Sequence, residues 1–311
     1  YLLLDVFKFI KSGHNLKESK LFQQTLRLCV FCESWIQLIY LLAHNDGNYE
    51  IAEFDKNFYH RIFAKCGIYH PVSYTFHEQK WSGEFPEKCD LLIKPVEGAQ
   101  GYNQSFWRYQ AGKYENEEMK CSKSKQEVIE YVEQQSKDSK VGYNSFMIQN
   151  HLKMHEKWSK QIRSMYHILL RIGTLKVSDN EIRPFLAELV VSASWTSHKR
   201  LGIIYCDVRN GTPLAFVNHW FDEKAVPLNA ADFVVDEDLY AEAVRLAVAA
   251  HKAMPDDIVP DHSWDILVSD QGVCFLEGSY VGARGTHYFY HSLQVLNLHL
   301  QAYSVDIARI F

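Results

Sequence analysis

The sequence predicts a mixed helix-and-strand protein, α+β or α/β, rather than a helical bundle or a β-sandwich. Three observations carry that expectation. Helical and strand patterns are interleaved along the chain. The 311 residues suffice for two or three lobes around a substantial core. A balance of 47% apolar to 23% charged residues is that of a folded globular chain, which excludes disordered and collagen-like classes.

Taken in order, residues 1–43 read as two or more helices from leucine and aromatic spacing. The most apolar stretch, residues 26–42, still contains Arg27, Glu33 and Gln37. Each is costly in lipid, so a core- or partner-facing helix is expected and no membrane span. Cys29 and Cys32 form a C-x-x-C inside this pattern; with no second pair or histidines downstream, they read as buried helix cysteines rather than a zinc or redox site. Residues 45–48, Asn-Asp-Gly-Asn, make a turn. A helix over 53–66 leads through Gly67 and Pro71 into a short strand. Residues 91–94 form a strand halted by Pro95, and a glycine-containing loop follows over 97–101. Ser124 and Glu127 are spaced as a capping box for a helix ending near residue 136. Strands are expected over 146–149, 185–191, 201–208 and 212–217, with a turn at Arg209-Asn210-Gly211 before the last. Asp236 caps a helix that Pro255 ends, and the strands 264–269 and 273–277 meet at an Asp270-Gln271-Gly272 hairpin.

Charge and cysteine content narrow the function classes. With 33 basic and 38 acidic residues the net charge is −5, which argues against a nucleic-acid footprint. Seven irregularly spaced cysteines fit a reducing compartment better than a disulfide framework, and the expected location is cytoplasmic. The P-loop, the Rossmann glycine fingerprint, H-E-x-x-H and G-x-S-x-G are all absent. The pairs His151/His155 and His287/His291 are each four apart, but neither has a third zinc ligand in view.

What remains is a lysine, a flexible loop and two carboxylates. Lys94 ends an apolar strand, where its ammonium is partly desolvated unless an anion meets it. Gly98 and Gly101 let the following backbone approach a polyphosphate closely. Asp265 and Glu277 lie on adjacent hairpin strands, where two carboxylates can share a face and hold Mg²⁺. Together they describe a nucleotide–magnesium site without a P-loop.

Over roughly residues 55–290 the chain resembles the ATP-grasp superfamily. Asp55-Lys56, followed by Gly67-Ile68-Tyr69-His70-Pro71, is similar to its "D-K … G-I-P-x-P" segment. Leu92-Ile93-Lys94-Pro95 with the 97–101 loop is similar to its "V-K-P" strand and glycine-rich flap. Residues 147–152 resemble the hinge "V-Q-E-x-L", residues 169–174 the "L-R-I-x-T" strand, and Trp264-Asp265-Ile266 with residues 275–279 the "W-D-V … L-E-G-N" pair. The wording is nearest to the sugar-transfer-associated members.

The resemblance implies an α+β fold of two lobes clamping a nucleotide: a helical region 1–54, a small lobe 55–145 with the flap, and a large lobe 146–311 with the metal site. It implies ATP and Mg²⁺ as cofactors. Lys56, Lys94, Gly98 and Gly101 would contact phosphates, while Gln149, Asn150 and Leu152 would meet the adenine edge. Asp265, Glu277 and Ser279 would hold the metal, and Arg171 would face the transferring phosphoryl group. Arg284 would grip a substrate carboxylate, and His287 is the candidate for proton transfer. Ser279 stands where the family has asparagine, and Asn150 where it has glutamate. The implied activity is a carboxylate–amine ligase working through an acyl phosphate, on a sugar-derived or amino-acid substrate in polysaccharide or cell-envelope biosynthesis. A kinase acting on a hydroxyl and a degenerate nucleotide-binding module are the alternatives. Partners are the small-molecule carboxylate and amine, with no nucleic acid; surface contact through the N-terminal helices and a homo-oligomer stay open.

Overall fold

The computed structural model describes residues 56–97, 103–138, 142–161, 167–192, 200–218, 233–255 and 261–279. The expected N-terminal helices with Cys29 and Cys32, and also Gly98, Gly101, Arg284, His287 and His291, lie outside the described residues.

The described chain is α+β, built on two antiparallel sheets. Helix α1 (Lys56–Lys65) is followed by the strands β1 (Ser73–His77), β2 (Lys80–Gly83), β3 (Leu91–Pro95), β4 (Ser105–Gln110), β5 (Lys113–Asn116) and β6 (Cys121–Lys123). Helix α2 (Lys125–Lys137) then leads to β7 (Phe146–Asn150) and α3 (Glu156–Gln161). The second half contains β8 (His167–Ser178), β9 (Glu181–Ser192), β10 (Arg200–Cys206), β11 (Pro213–Asn218), α4 (Glu237–Lys252), β12 (Asp261–Ser269) and β13 (Gly272–Ser279). The first sheet has the order β2-β1-β7-β3-β4-β5-β6 and the second β11-β10-β9-β8-β12-β13. Strand β7, which begins at residue 146, sits between β1 and β3 in the first sheet.

Strand alternation decides which face of each sheet is core. In the first sheet Leu91, Ile93, Phe146 and Ile148 pack with Trp107, Tyr114 and Val128 and Val132 of α2. The alternate residues of the central strands, Leu92, Lys94, Met147 and Gln149, therefore share the other face, with Lys94 paired to Met147 and Leu92 to Gln149. In the second sheet Ile168, Leu170, Ile172, Leu189, Val191, Trp264, Ile266 and Val268 form one core with Tyr240, Ala243, Ala247 and Ala250 of α4 and Tyr59, Ile62 and Phe63 of α1. Helix α1 thus precedes the strands of the first sheet in the chain but packs on the second sheet.

Local signals place these elements. Ser124 accepts from the Glu127 N–H while Glu127 returns a carboxylate to the Ser124 N–H, the expected capping box. Asp236 caps α4 by accepting from Asp238 and Leu239. Gly278 packs so close to α1 that a Cβ there would collide with the Tyr59 ring.

Candidate functional site

Arg171 lies in the middle of β8, and register sets its neighbours. It pairs with Glu188 on β9 and Asp265 on β12, and Asp265 pairs in turn with Glu277 on β13. Directly paired residues on antiparallel strands project to the same face. Glu188, Arg171, Asp265 and Glu277 therefore form one row across four strands, on the face opposite the core.

Glu277 reaches that face only through a bulge. Phe275 packs in the core, and simple alternation would send Glu277 the same way. The register shifts between Asp265 and Ile266, so that Asp265 faces Glu277 while Ile266 faces Phe275. Leu276 is the extra residue, and the bulge turns Glu277 onto the row.

The guanidinium is gripped from two sides. Arg171 donates Nε to Asp265 Oδ1 at 2.6 Å and Nη2 to Asp265 Oδ2 at 3.0 Å, a bidentate fork. Nη1 donates to Glu188 Oε1 at 3.1 Å. Arg171 is buried and Glu188 entirely so. Burial opposes the arginine's charge, but Asp265 and Glu188 outweigh it and raise its pKa above the ordinary value. Glu188 was missed in the sequence; the available signal was one acid inside the apolar run 185–191.

Lys94 meets this row from the other sheet. Its Nζ lies 3.6 Å from Glu277 Oε2, and the side chain is only 5% exposed against 36% for Glu277. Burial pushes the ammonium below its ordinary pKa, with Glu277 pulling the other way and Lys56 adding to the fall. Lys56, at the start of α1, donates Nζ to Val96 O at 3.3 Å. An anion entering between Lys94 and Lys56 would relieve that mutual repulsion.

Gln149 is buried on the Lys94 face of the first sheet, with its side-chain amide 3.2 Å from His60 Nε2. The N–H of Asn150 donates to Val72 O and that of His151 to Asp90 O. Asn150 Oδ1 is buried without a hydrogen-bond partner, and the residue lines two cavities of about 670 and 440 Å³. The smaller runs between Leu152, Tyr109 and the β12–β13 turn at Asp270. His151 and His155 precede α3 rather than sharing a helix face, so the helical spacing considered for zinc is not formed.

The donor set suits a hard cation with a mostly non-protein shell. Among the described residues no group of three or more His, Cys, Asp or Glu is placed to hold a metal. Two register-paired carboxylates, one of them partly exposed, fit Mg²⁺, which binds through one or two carboxylates plus phosphates and water. Ser279 is on the same face, paired with Ser263, whose buried Oγ has no hydrogen-bond partner.

His60 is a second residue the sequence reading did not single out. It is buried in α1 and touches Ser73, Gln149 and Leu276. Burial, aided by the nearby Lys94 and His70, lowers its pKa to about 3, so the ring is neutral at physiological pH.

No family model and no curated protein matches this sequence. Among solved structures it is similar to the VanG D-Ala:D-Ser ligase from Enterococcus faecalis, with 14% identity and a TM-score of 0.48 over 80% of this chain and 61% of that one. It is also similar to a D-alanine–D-alanine ligase from Bacillus anthracis, with 13% identity and a TM-score of 0.46 over 81% of this chain and 67% of the other. A third is N5-carboxyaminoimidazole synthase from Aspergillus clavatus in complex with ADP, at 11% identity and a TM-score of 0.45 over 82% of this chain and 52% of that one. The chain thus spans less than two thirds of the length of the first and third of these.

Proposed function

We propose that this chain is an ATP-grasp protein acting as a Mg-ATP-dependent carboxylate–amine ligase. The observation that carries the reading is the meeting of Lys94 from one sheet with the Arg171–Asp265–Glu277 row of the other. Those residue types in that arrangement neutralise a polyphosphate and a charged transfer state, which is what phosphoryl transfer asks of a protein. The sequence motifs around the same residues supply independent support.

Asp265, Glu277 and Ser279 would hold Mg²⁺, which when bound neutralises charge on the phosphate oxygens. Lys94 and Lys56 bind the nucleotide phosphates through Nζ. Asn150 Oδ1 and the 150–152 backbone meet the base. Arg171, held rigid by Glu188 and Asp265, presents its guanidinium to the γ-phosphate as a substrate carboxylate attacks it and ADP departs. The amine then attacks the acyl carbon, and inorganic phosphate leaves. Arg284 and His287 are assigned to the carboxylate and to proton removal from the amine. Sugar-derived or amino-acid carboxylates are the proposed substrate class, with polysaccharide or cell-envelope biosynthesis as the setting.

The deciding experiment measures ADP and phosphate across a panel of amino acids and uronic acids, each with and without an amine. Product formed only when acid and amine are both present supports the ligase. ADP without an amine requirement points to a kinase, and AMP contradicts the mechanism.

One observation favours a second reading, a nucleotide-binding module without turnover. Arg171 occupies both oxygens of Asp265, and Lys94 sits on Glu277. On that reading Glu277→Gln changes no activity and at most weakens ATP binding; for the ligase it abolishes turnover with the fold retained.

A further inference from the structure

The bulge at Leu276 leaves a carbonyl outside the β12–β13 ladder, and such a group needs a partner elsewhere. The segment from α1 to β1 provides pegs on both sides of the bulge. Tyr69 O accepts from the Phe275 N–H at 2.9 Å. His60 Nε2 lies 3.3 Å from Leu276 O.

The hydrogen bonds around His60 serve to assign its tautomer. Nε2 approaches both Leu276 O and the Gln149 amide, at 3.3 and 3.2 Å. Nδ1 approaches Ser73 Oγ at 3.4 Å. A carbonyl only accepts, so Nε2 carries the hydrogen, and Nδ1 accepts from the Ser73 hydroxyl. The Gln149 amide then turns its oxygen to the ring, an assignment from the network as amide orientations always are.

We propose that His60 is a positioning residue: by donating to Leu276 O it holds the bulge that turns Glu277 onto the metal-binding face, and through Gln149 it ties that carboxylate to the nucleotide-contacting strand. The inference rests on the ligase reading above, because Glu277 matters as a cation ligand only there. His60 itself touches neither cation nor substrate.

The test compares His60→Gln, whose Nε2 donor reaches as the imidazole Nε2 does, with His60→Asn, whose shorter amide reaches only toward Ser73. Mn²⁺ binding in the presence of the β,γ-imido analogue of ATP is followed by the electron paramagnetic resonance of free Mn²⁺, with Asp265→Asn as control. Outer-shell partners of metal ligands are worth about 10- to 100-fold in affinity. His60→Asn is expected to weaken Mn²⁺ binding by about that factor, and His60→Gln to recover most of it. Equal loss in both variants overturns the proposal in favour of simple packing. Wild-type binding in both overturns it outright, provided that Asp265→Asn loses Mn²⁺. If Asp265→Asn also binds normally, the carboxylate site and the ligase reading fail, and the proposal falls with them.

Discussion

Arg171 is held by more than its charge. A lysine keeps the positive charge but offers a point donor where the site presents a fork and a side clamp. Arg171→Met leaves Asp265 and Glu188 facing each other across a buried gap. Removing one side of such a buried ionic cluster costs about 3–5 kcal/mol, and chemical denaturation at neutral pH is expected to read a loss of that size. Arg171→Lys should retain more of the stability but not the bidentate geometry, so the urea midpoint moves less and, on the proposed ligase reading, turnover still falls. Arg171 and the carboxylates Asp265 and Glu277 of its row were legible because each stands in a recognisable strand motif. Glu188 was not, because no motif marks it; only the tertiary pairing of β9 with β8 gives that acid a partner.

Among elements, the hairpins separate what sequence signals reveal from what they conceal. The β12–β13 hairpin was expected from Asp270-Gln271-Gly272 and is present. The β1–β2 hairpin was not, because its two turn residues are Glu78 and Gln79, with φ of 48° and 61°. Such a turn normally calls for Asn-Gly, and side chains there carry strain. Replacing the pair by Asn-Gly is expected to stabilise the protein by about 1 kcal/mol, read as a higher urea midpoint with unchanged slope. Strands β4 to β6 were hidden in the same way: Ala111, with φ of 48°, precedes Gly112 in the turn, and β5 and β6 are short and mostly polar. Gly278 makes a complementary case. Its Gly278→Ala variant forces α1 away from β13 and should cost about 1–3 kcal/mol. Tyr59→Leu in the same chain should recover part of that cost, a non-additivity that a double-mutant cycle measures.

At the scale of the whole molecule, the buried histidines set the response to acid. His60 has its pKa lowered to about 3, and His151 and His251 to about 4, all from 6.5 and chiefly by burial. His262, stacked on Trp264, is also held well below its ordinary pKa by burial, and neither of its ring nitrogens has a hydrogen-bond partner. Below pH 6.5 the unfolded chain takes up protons that the folded chain refuses. Their contribution is therefore full above pH 6.5 and is lost progressively as pH falls toward 4, with each such histidine adding a slope of up to about 1.4 kcal/mol per pH unit. Denaturant titrations from pH 7 to 4.5 should show this steep fall. In His262→Phe, which keeps the stacking ring and removes two unpaired polar atoms, the slope should be shallower and stability at pH 7 no lower.

By itself the sequence determined the pieces: strands with one apolar face, capped helices, and a lysine, an arginine and two acids each inside a motif of recognisable chemistry. Those are local properties, set by periodicity, side-chain type and turn chemistry within a few residues. Tertiary structure alone decided that Glu188 clamps Arg171, that His60 reaches the Leu276 carbonyl, and that Lys94 crosses to Glu277. These contacts join residues distant in sequence, from 17 positions for Glu188 and Arg171 to 216 for His60 and Leu276, and depend on strand order and on one bulge. No spacing rule within a single element encodes either.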